Sequence, residues 1–196
     1  MGITVGIVLF DDCEELDWAG PWEVFSMARR DGDTVVTISE RSDPVRCAKG
    51  LRVLTDHTFG DAPALNVVVV PGGHGSRRER SNAAMLEFLQ RVAPGCAWVA
   101  SVCTGVFVLH GAGIARDQPV TTHWGAIEEL RTIAPDLTVL EDVRYVRHAN
   151  VVTSAGVSAG IDMSLWLVGQ LISVEHARMT QYAMEYNPAP PYAALV

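Results

Sequence analysis

Apolar, β-branched runs alternate with glycine turns and helix-like stretches along this chain. The first run, Ile3-Thr-Val-Gly-Ile-Val-Leu-Phe10, is apolar nearly throughout, as expected of a strand covered on both faces. After Asp11 and Asp12 comes Leu16-Asp-Trp-Ala-Gly-Pro21, where Pro21 suits the first position of a helix through Val24, Phe25 and Ala28. Asp17 then falls in the turn between strand and helix. Thr34 to Ser39 reads as a second strand, and the pieces at Pro44 to Cys47 and Leu51 to Thr55 as a short hairpin or an addition to the sheet edge. Asn66-Val-Val-Val-Val70 is a buried strand that stops at Pro71-Gly-Gly-His-Gly75, and a helix follows from about Asn82 to Val92.

The strand, turn, helix order repeats. Ala97-Trp-Val-Ala-Ser-Val102 is a strand with Cys103-Thr-Gly105 at its end, and Val106 to Leu109 begin a helix. Pro119 to Thr122, Tyr145 to His148 and Val151 to Thr153 are further strands. Helices are predicted over Ser158 to Val174 and Glu175 to Glu185, ahead of an Asn187-Pro-Ala-Pro-Pro191 tail. Alternating β and α elements predict an α/β fold, a doubly wound, mostly parallel sheet with helices on both faces. No internal repeat or linker divides residues 1–196, which we read as a single domain.

Ligand sites in such sheets form beyond the carboxyl ends of the strands. Three segments meet that description here: the one carrying Asp17, the Gly72-Gly73 turn, and Cys103. Ser101-Val-Cys-Thr-Gly105 has the small-x-nucleophile-x-Gly layout of a nucleophile elbow. A thiol at a helix N-terminus gains from its partial positive charge, so Cys103 is expected to be unusually acidic and easily oxidised. Gly73 N–H and Thr104 N–H together suggest a two-donor hole for negative charge, with Gly72 opening the approach. Asp17 either exchanges a proton with the substrate or caps the helix that follows it.

Composition narrows the possibilities. A net charge of -8 and a basic run limited to Arg77, Arg78 and Arg80 disfavour nucleic-acid binding, and that run is read as a solvated helix start. No stretch reaches the ~18 apolar residues of a membrane span, and no signal-type segment opens the chain, so a cytoplasmic location is expected. Cys13, Cys47, Cys96 and Cys103 form no C-x-x-C pair and are expected to be free thiols. His123 and Trp124 follow a strand and are placed in the substrate pocket. His74, in the glycine turn, is expected to point to solvent, and His57, His110, His148 and His176 lack metal-like spacing and read as surface or satisfied core groups, so neither metal nor cofactor is predicted.

Val70-Pro-Gly-Gly-His-Gly75, Ala100-Ser-Val-Cys-Thr-Gly105, Thr121-Thr-His-Trp124 and Thr153-Ser-Ala-Gly-Val-Ser-Ala-Gly-Ile-Asp162 resemble the ThiJ/PfpI superfamily, related to class I glutamine amidotransferases. The resemblance covers essentially the whole chain and implies a flavodoxin-like fold. Proteases of the superfamily place His directly after Cys, and several glyoxalase or deglycase members carry a glutamate in the first loop; this sequence has Thr104 and Asp17. It is similar instead to isonitrile hydratases, whose aspartate, cysteine and threonine fall on Asp17, Cys103 and Thr104. The resemblance therefore implies a cofactor-free hydratase acting on a small molecule, with Trp18, Val106 and Trp124 as apolar pocket residues. It also implies a homodimer, for which Trp18, Trp22, Phe25 and Met27 offer a face. Alternatives are a glyoxalase or deglycase, or a ligand or redox sensor like the sensing domains of AraC-type regulators. The expected absence of a C-terminal helix-turn-helix pair weighs against a DNA-binding regulator.

Overall fold

The computed structural model describes residues 2–187, so the tail residues 188–191 lie outside it. The elements run β1 (Thr4–Val8), α1 (Glu15–Met27), β2 (Thr34–Ser39), β3 (Val45–Arg46), β4 (Arg52–Val53), β5 (His57–Thr58), β6 (Val67–Val70), α2 (Ser76–Glu79) and α3 (Ala83–Val92). They continue with β7 (Trp98–Val102), α4 (Gly105–Gly111), β8 (Pro119–Val120), α5 (Ile127–Ile133), β9 (Thr138–Val139), β10 (Tyr145–His148), β11 (Val151–Ser154), α6 (Ala159–Leu171) and α7 (Val174–Ala183).

Seven strands make one sheet in the order β10-β11-β7-β6-β1-β2-β5. Every neighbouring pair is parallel except β10 with β11, so β10 is an antiparallel edge. β3 and β4 form a small antiparallel hairpin apart from the main sheet, the first of the two arrangements the sequence left open. The central strands read as continuous valine and isoleucine because helices cover both faces, with α1, α6 and α7 packed together and α4 against α2 and α3. Val67 to Val70, Ile7 and Val8 are all fully buried. Each such side chain contributes about 1.5–3 kcal/mol of transfer free energy, which fixes strand register far more firmly than local propensity does.

Two local readings change. α1 begins at Glu15, so Asp17 lies in the first helical turn and not in the preceding loop. Pro21 sits within the helix, where its missing N–H leaves the Asp17 carbonyl without an i+4 donor. The Arg77, Arg78 and Arg80 region forms its own short helix, α2. There the Arg77 guanidinium stacks over Phe107 and pairs with Glu129, so it is half-buried rather than solvated. α3 starts where expected, because the Asn82 side chain accepts the Ala84 N–H at 3.1 Å and caps it.

On the expected dimer face, Phe25 packs into the protein's own core, whereas Trp22 and Met27 are exposed. Phe88 is also a core side chain, stacked on Phe59 at 4.4 Å and not part of the lining of the cavity at Cys103. Phe88→Ala should lower unfolding stability by about 3–5 kcal/mol in urea titration. A loss under about 1 kcal/mol would show that this part of the core is not close-packed.

Candidate active site

The carboxyl ends of β1, β6 and β7 converge on Cys103. It follows β7 directly and adopts φ 56°, a left-handed conformation that costs a non-glycine residue energy. The surrounding backbone holds it there. Cys103 N–H donates to the Ser154 and Ala155 carbonyls at 3.2 and 3.3 Å, and its own carbonyl accepts the Thr122 hydroxyl at 2.9 Å. Gly105 is required two residues later, since a Cβ there would overlap the Val70 carbonyl oxygen. The geometry is that of a strained nucleophile elbow, with the thiol facing a cavity of about 290 Å³.

Asp17 reaches this point from the first turn of α1 and is fully buried. Its Oδ2 accepts the Gly72 N–H at 2.9 Å, so the carboxyl docks onto the loop after β6 and does not cap its own helix. The Cys103 thiol and the Val157 N–H lie close enough to favour the ionised carboxylate. Oδ1 nevertheless has no partner in hydrogen-bond geometry among the described residues. Burial dominates and, with the nearby Glu14 charge, raises the Asp17 pKa from 3.8 to about 7. Gly72 is the residue that permits this docking, because a Cβ there would collide with Thr104 N and crowd the carboxylate.

The expectation of an acidic Cys103 does not hold. Burial and the adjacent Asp17 charge push the thiol up to about 12, against the lowering influence of Thr104 N–H and hydroxyl. α4 has only seven residues, too little helix to outweigh desolvation. Cys103 rests as a thiol beside a carboxyl that is half-ionised near neutral pH.

The expected two-donor hole is only half present. Gly73 N–H donates to Thr104 Oγ1 at 3.0 Å, and Gly72 N–H is committed to Asp17. Thr104 N–H faces the thiol and bonds no oxygen among the described residues. Thr104 Oγ1 is itself locked, donating to the Gly73 carbonyl at 3.1 Å and accepting from Ser76 Oγ at 2.9 Å. A Gly73 side chain would strike the Asp12 to Glu14 backbone, because Gly73 (φ 109°) bridges to Cys13 there.

Gly73, Cys103 and Thr104 line the cavity together with His74, Arg77, His123, Trp124, Ala126 and Val157. His123 Nδ1 accepts the Gly125 N–H at 3.1 Å, and its ring fills the space a Gly156 side chain would need. Trp124 stands 81% exposed at the cavity mouth. Two anticipated pocket residues lie elsewhere: Val106 is fully buried in the core, and Trp18 turns its indole N–H toward Cys47. Among the described residues no group of three or more His, Cys, Asp or Glu side chains is placed to hold a metal ion.

The DJ-1/PfpI family model matches residues 3–170. The chain belongs to the DJ-1/PfpI family. An isonitrile hydratase of Pseudomonas putida is 35% identical over 98% of this chain and 82% of its own length. A glutathione-independent glyoxalase of Caenorhabditis elegans, DJR-1.2, is 25% identical over 82% of this chain and 84% of its own. A ThiJ/PfpI family protein of Pseudomonas syringae superposes with a TM-score of 0.89 at 29% identity, covering all of this chain and 80% of that one.

Sequence reasoning missed three contributors to this DJ-1/PfpI site. Ser76, fully buried, ties Thr104 Oγ1 to the Gly73 carbonyl, which it meets at 2.8 Å. Val157 presents its N–H to Asp17 from φ 54°, a strained conformation for a β-branched residue. Glu14 lines the cavity and raises the Asp17 pKa. A serine just past a glycine turn was the one visible signal. The other two depend on loop geometry that no local pattern encodes.

A carboxyl with a raised pKa binds a proton in the folded protein that the unfolded chain releases between its ordinary value and about 7. Stability therefore falls as pH rises through that window and stays lower above it. Asp17→Asn should remove this cost, making the variant more stable than wild type at about pH 8 by on the order of 2–4 kcal/mol, with the difference closing toward about pH 4. Urea unfolding across that range measures it. A variant no more stable than wild type at the alkaline end would refute the buried-carboxyl reading.

Proposed function

We propose that this chain is a cysteine-dependent hydratase that converts an isonitrile to an N-substituted formamide, with Cys103 as the nucleophile. The observation that carries the reading is the fully buried Asp17 carboxyl, poised near pH 7 beside a protonated thiol. The 35% identity with an isonitrile hydratase supports the same choice.

The reaction adds water across a terminal carbon that carries both a lone pair and electrophilic character. Asp17 carboxylate takes the proton of the Cys103 thiol as sulfur bonds to that carbon, then delivers it to the carbon, giving a thioimidate. Thr104 N–H steadies the sulfur while its charge is transient. In the second half Asp17 accepts a proton from water as the oxygen attacks, and the imine nitrogen receives that proton. Collapse of the tetrahedral adduct forms the formyl C=O, breaks the C–S bond and returns the last proton to sulfur. One isonitrile and one water thus give one formamide, and the thiol is restored.

This chemistry suits a site with few free oxyanion donors. Each step moves a proton along with the electron pair, so little negative charge accumulates on oxygen. Acyl transfer, by contrast, draws on a pair of aimed N–H groups. An apolar substrate also fits a cavity flanked by Trp124, Ala126 and Val157. Cytoplasmic location and pairing as a homodimer belong to the same reading; among the described residues no helix is long and apolar enough to cross a membrane.

Formamide production from an aromatic isonitrile should be measured for wild type, Cys103→Ala, Asp17→Asn and Thr104→Ala, alongside methylglyoxal consumption. Turnover should vanish in the first variant, fall about 10²–10⁴-fold in the second, and fall less in the third. Methylglyoxal consumption without isonitrile turnover would replace the hydratase reading with a glyoxalase.

A further inference from the structure

Away from Cys103, two other cysteines meet in the core. The Cys13 thiol donates to Cys47 Sγ across 3.7 Å, although the residues are 34 positions apart in sequence. Cys13 ends the turn after β1 and bridges to Gly73, while Cys47 follows β3 at the base of the hairpin turn. Their backbones are already coupled, because Ala48 N–H donates to the Cys13 carbonyl at 2.8 Å. A disulfide needs the sulfurs at about 2.0 Å and the α-carbons within about 7 Å, so side-chain rotation with little backbone movement would close the gap.

We propose that Cys13 and Cys47 are a redox modification site that closes to a reversible disulfide, with a small hydroperoxide as the oxidant. Cys47 attacks as thiolate on the outer peroxide oxygen. The O–O bond breaks, the alcohol or water leaves, and a sulfenic acid forms on Cys47. Cys13 sulfur then attacks that sulfur, its proton leaves with the hydroxyl as water, and the S–S bond forms. Two thiols and one hydroperoxide give one disulfide, one water and one alcohol or second water, a two-electron oxidation of sulfur matched by reduction of the peroxide.

The surroundings divide the roles. The Cys13 thiol, by donating to Cys47, lowers the Cys47 pKa against the effect of burial, and the Trp18 indole N–H lowers it further. Among the described residues Trp18 Nε1 has no partner in hydrogen-bond geometry, which leaves its N–H free to turn to the Cys47 sulfur. Cys13 is shifted the opposite way, chiefly by the same contact and by burial, and remains protonated as the resolving partner. Both thiols are buried, but the turn residues Ala48, Lys49 and Gly50 beside Cys47 are exposed. Strands of two residues each hold that hairpin, the kind of element that opens locally well below the global unfolding free energy.

The site is separate from Cys103 yet touches its cavity, since Glu14, next to Cys13, and Ala48, next to Cys47, both line it. The proposal does not rest on the hydratase reading, and its test needs no substrate. Folded Cys103→Ser protein, treated with one equivalent of hydrogen peroxide and then alkylated under denaturing conditions, is digested and mapped by mass spectrometry. The expected product is a Cys13–Cys47 linked peptide, lighter than the two thiol peptides by two hydrogens and released by dithiothreitol, with Cys96 alkylated as in the untreated control. In the Cys13→Ser variant of that protein, Cys47 should instead stop at a sulfenic acid trapped by dimedone. Should Cys13→Ser fail to fold, Cys13→Ala serves the same purpose. Recovery of both cysteines as free thiols, or a disulfide joining either of them to Cys96, would overturn the proposal.

Discussion

The hydrogen bond from Gly72 N–H to the buried Asp17 carboxyl joins the first helix to the loop after the central strand, and the rest of the site is arranged around it. A carboxyl with no solvent exposure is costly, because an ion leaving water loses several kcal/mol of hydration unless its new partners replace it. One good donor and two weaker approaches do not replace it fully. The unpaid remainder appears as a pKa near 7. In the proposed hydratase that value matters, since a carboxyl at its ordinary 3.8 would hold almost no proton at neutral pH.

Strain gathers around the same point. Cys103 and Val157 both adopt left-handed backbone conformations, and both face Asp17. Cys103 and its neighbour Thr104 are held by bonds that leave little freedom: Ser154, Ala155 and Thr122 clamp Cys103, while Ser76 and Gly73 clamp Thr104. Because the glycine N–H groups are committed to Asp17 and Thr104, the site has spent its donors on positioning. What remains is one thiol, one backbone donor and a buried carboxyl beside them, a set better matched to the proposed addition across a multiple bond than to stabilising a full oxyanion.

Much of the fold was legible in the sequence because its central strands are buried on both faces. Val67 to Val70 and Thr34 to Ser39 carry enough apolar or β-branched character to name themselves, and the glycines after β6 mark a strand end. The start of α1 was misread because Pro21 is a common first helical residue. The acidic first turn at Glu15 and Asp17 was the better signal, since negative charge there complements the helix dipole. Cys103 and Asp17 stood out by motif, whereas the thiol's protonation did not. Helix position predicts an acidic cysteine, but burial and a neighbouring carboxylate, both tertiary effects, reverse the sign. The Cys13 and Cys47 contact was invisible for a related reason, as 34 residues of chain separate two side chains that only the fold brings together.

The most direct measurement follows the Asp17 side-chain carboxyl carbon by NMR from about pH 4 to 9, in wild type and in Cys103→Ser protein with the aspartates isotopically labelled. A titration midpoint near 7 in wild type, displaced when the thiol is replaced, is the expected result. A midpoint in the ordinary carboxylate range, unmoved by the substitution, would contradict a proton held between Asp17 and Cys103.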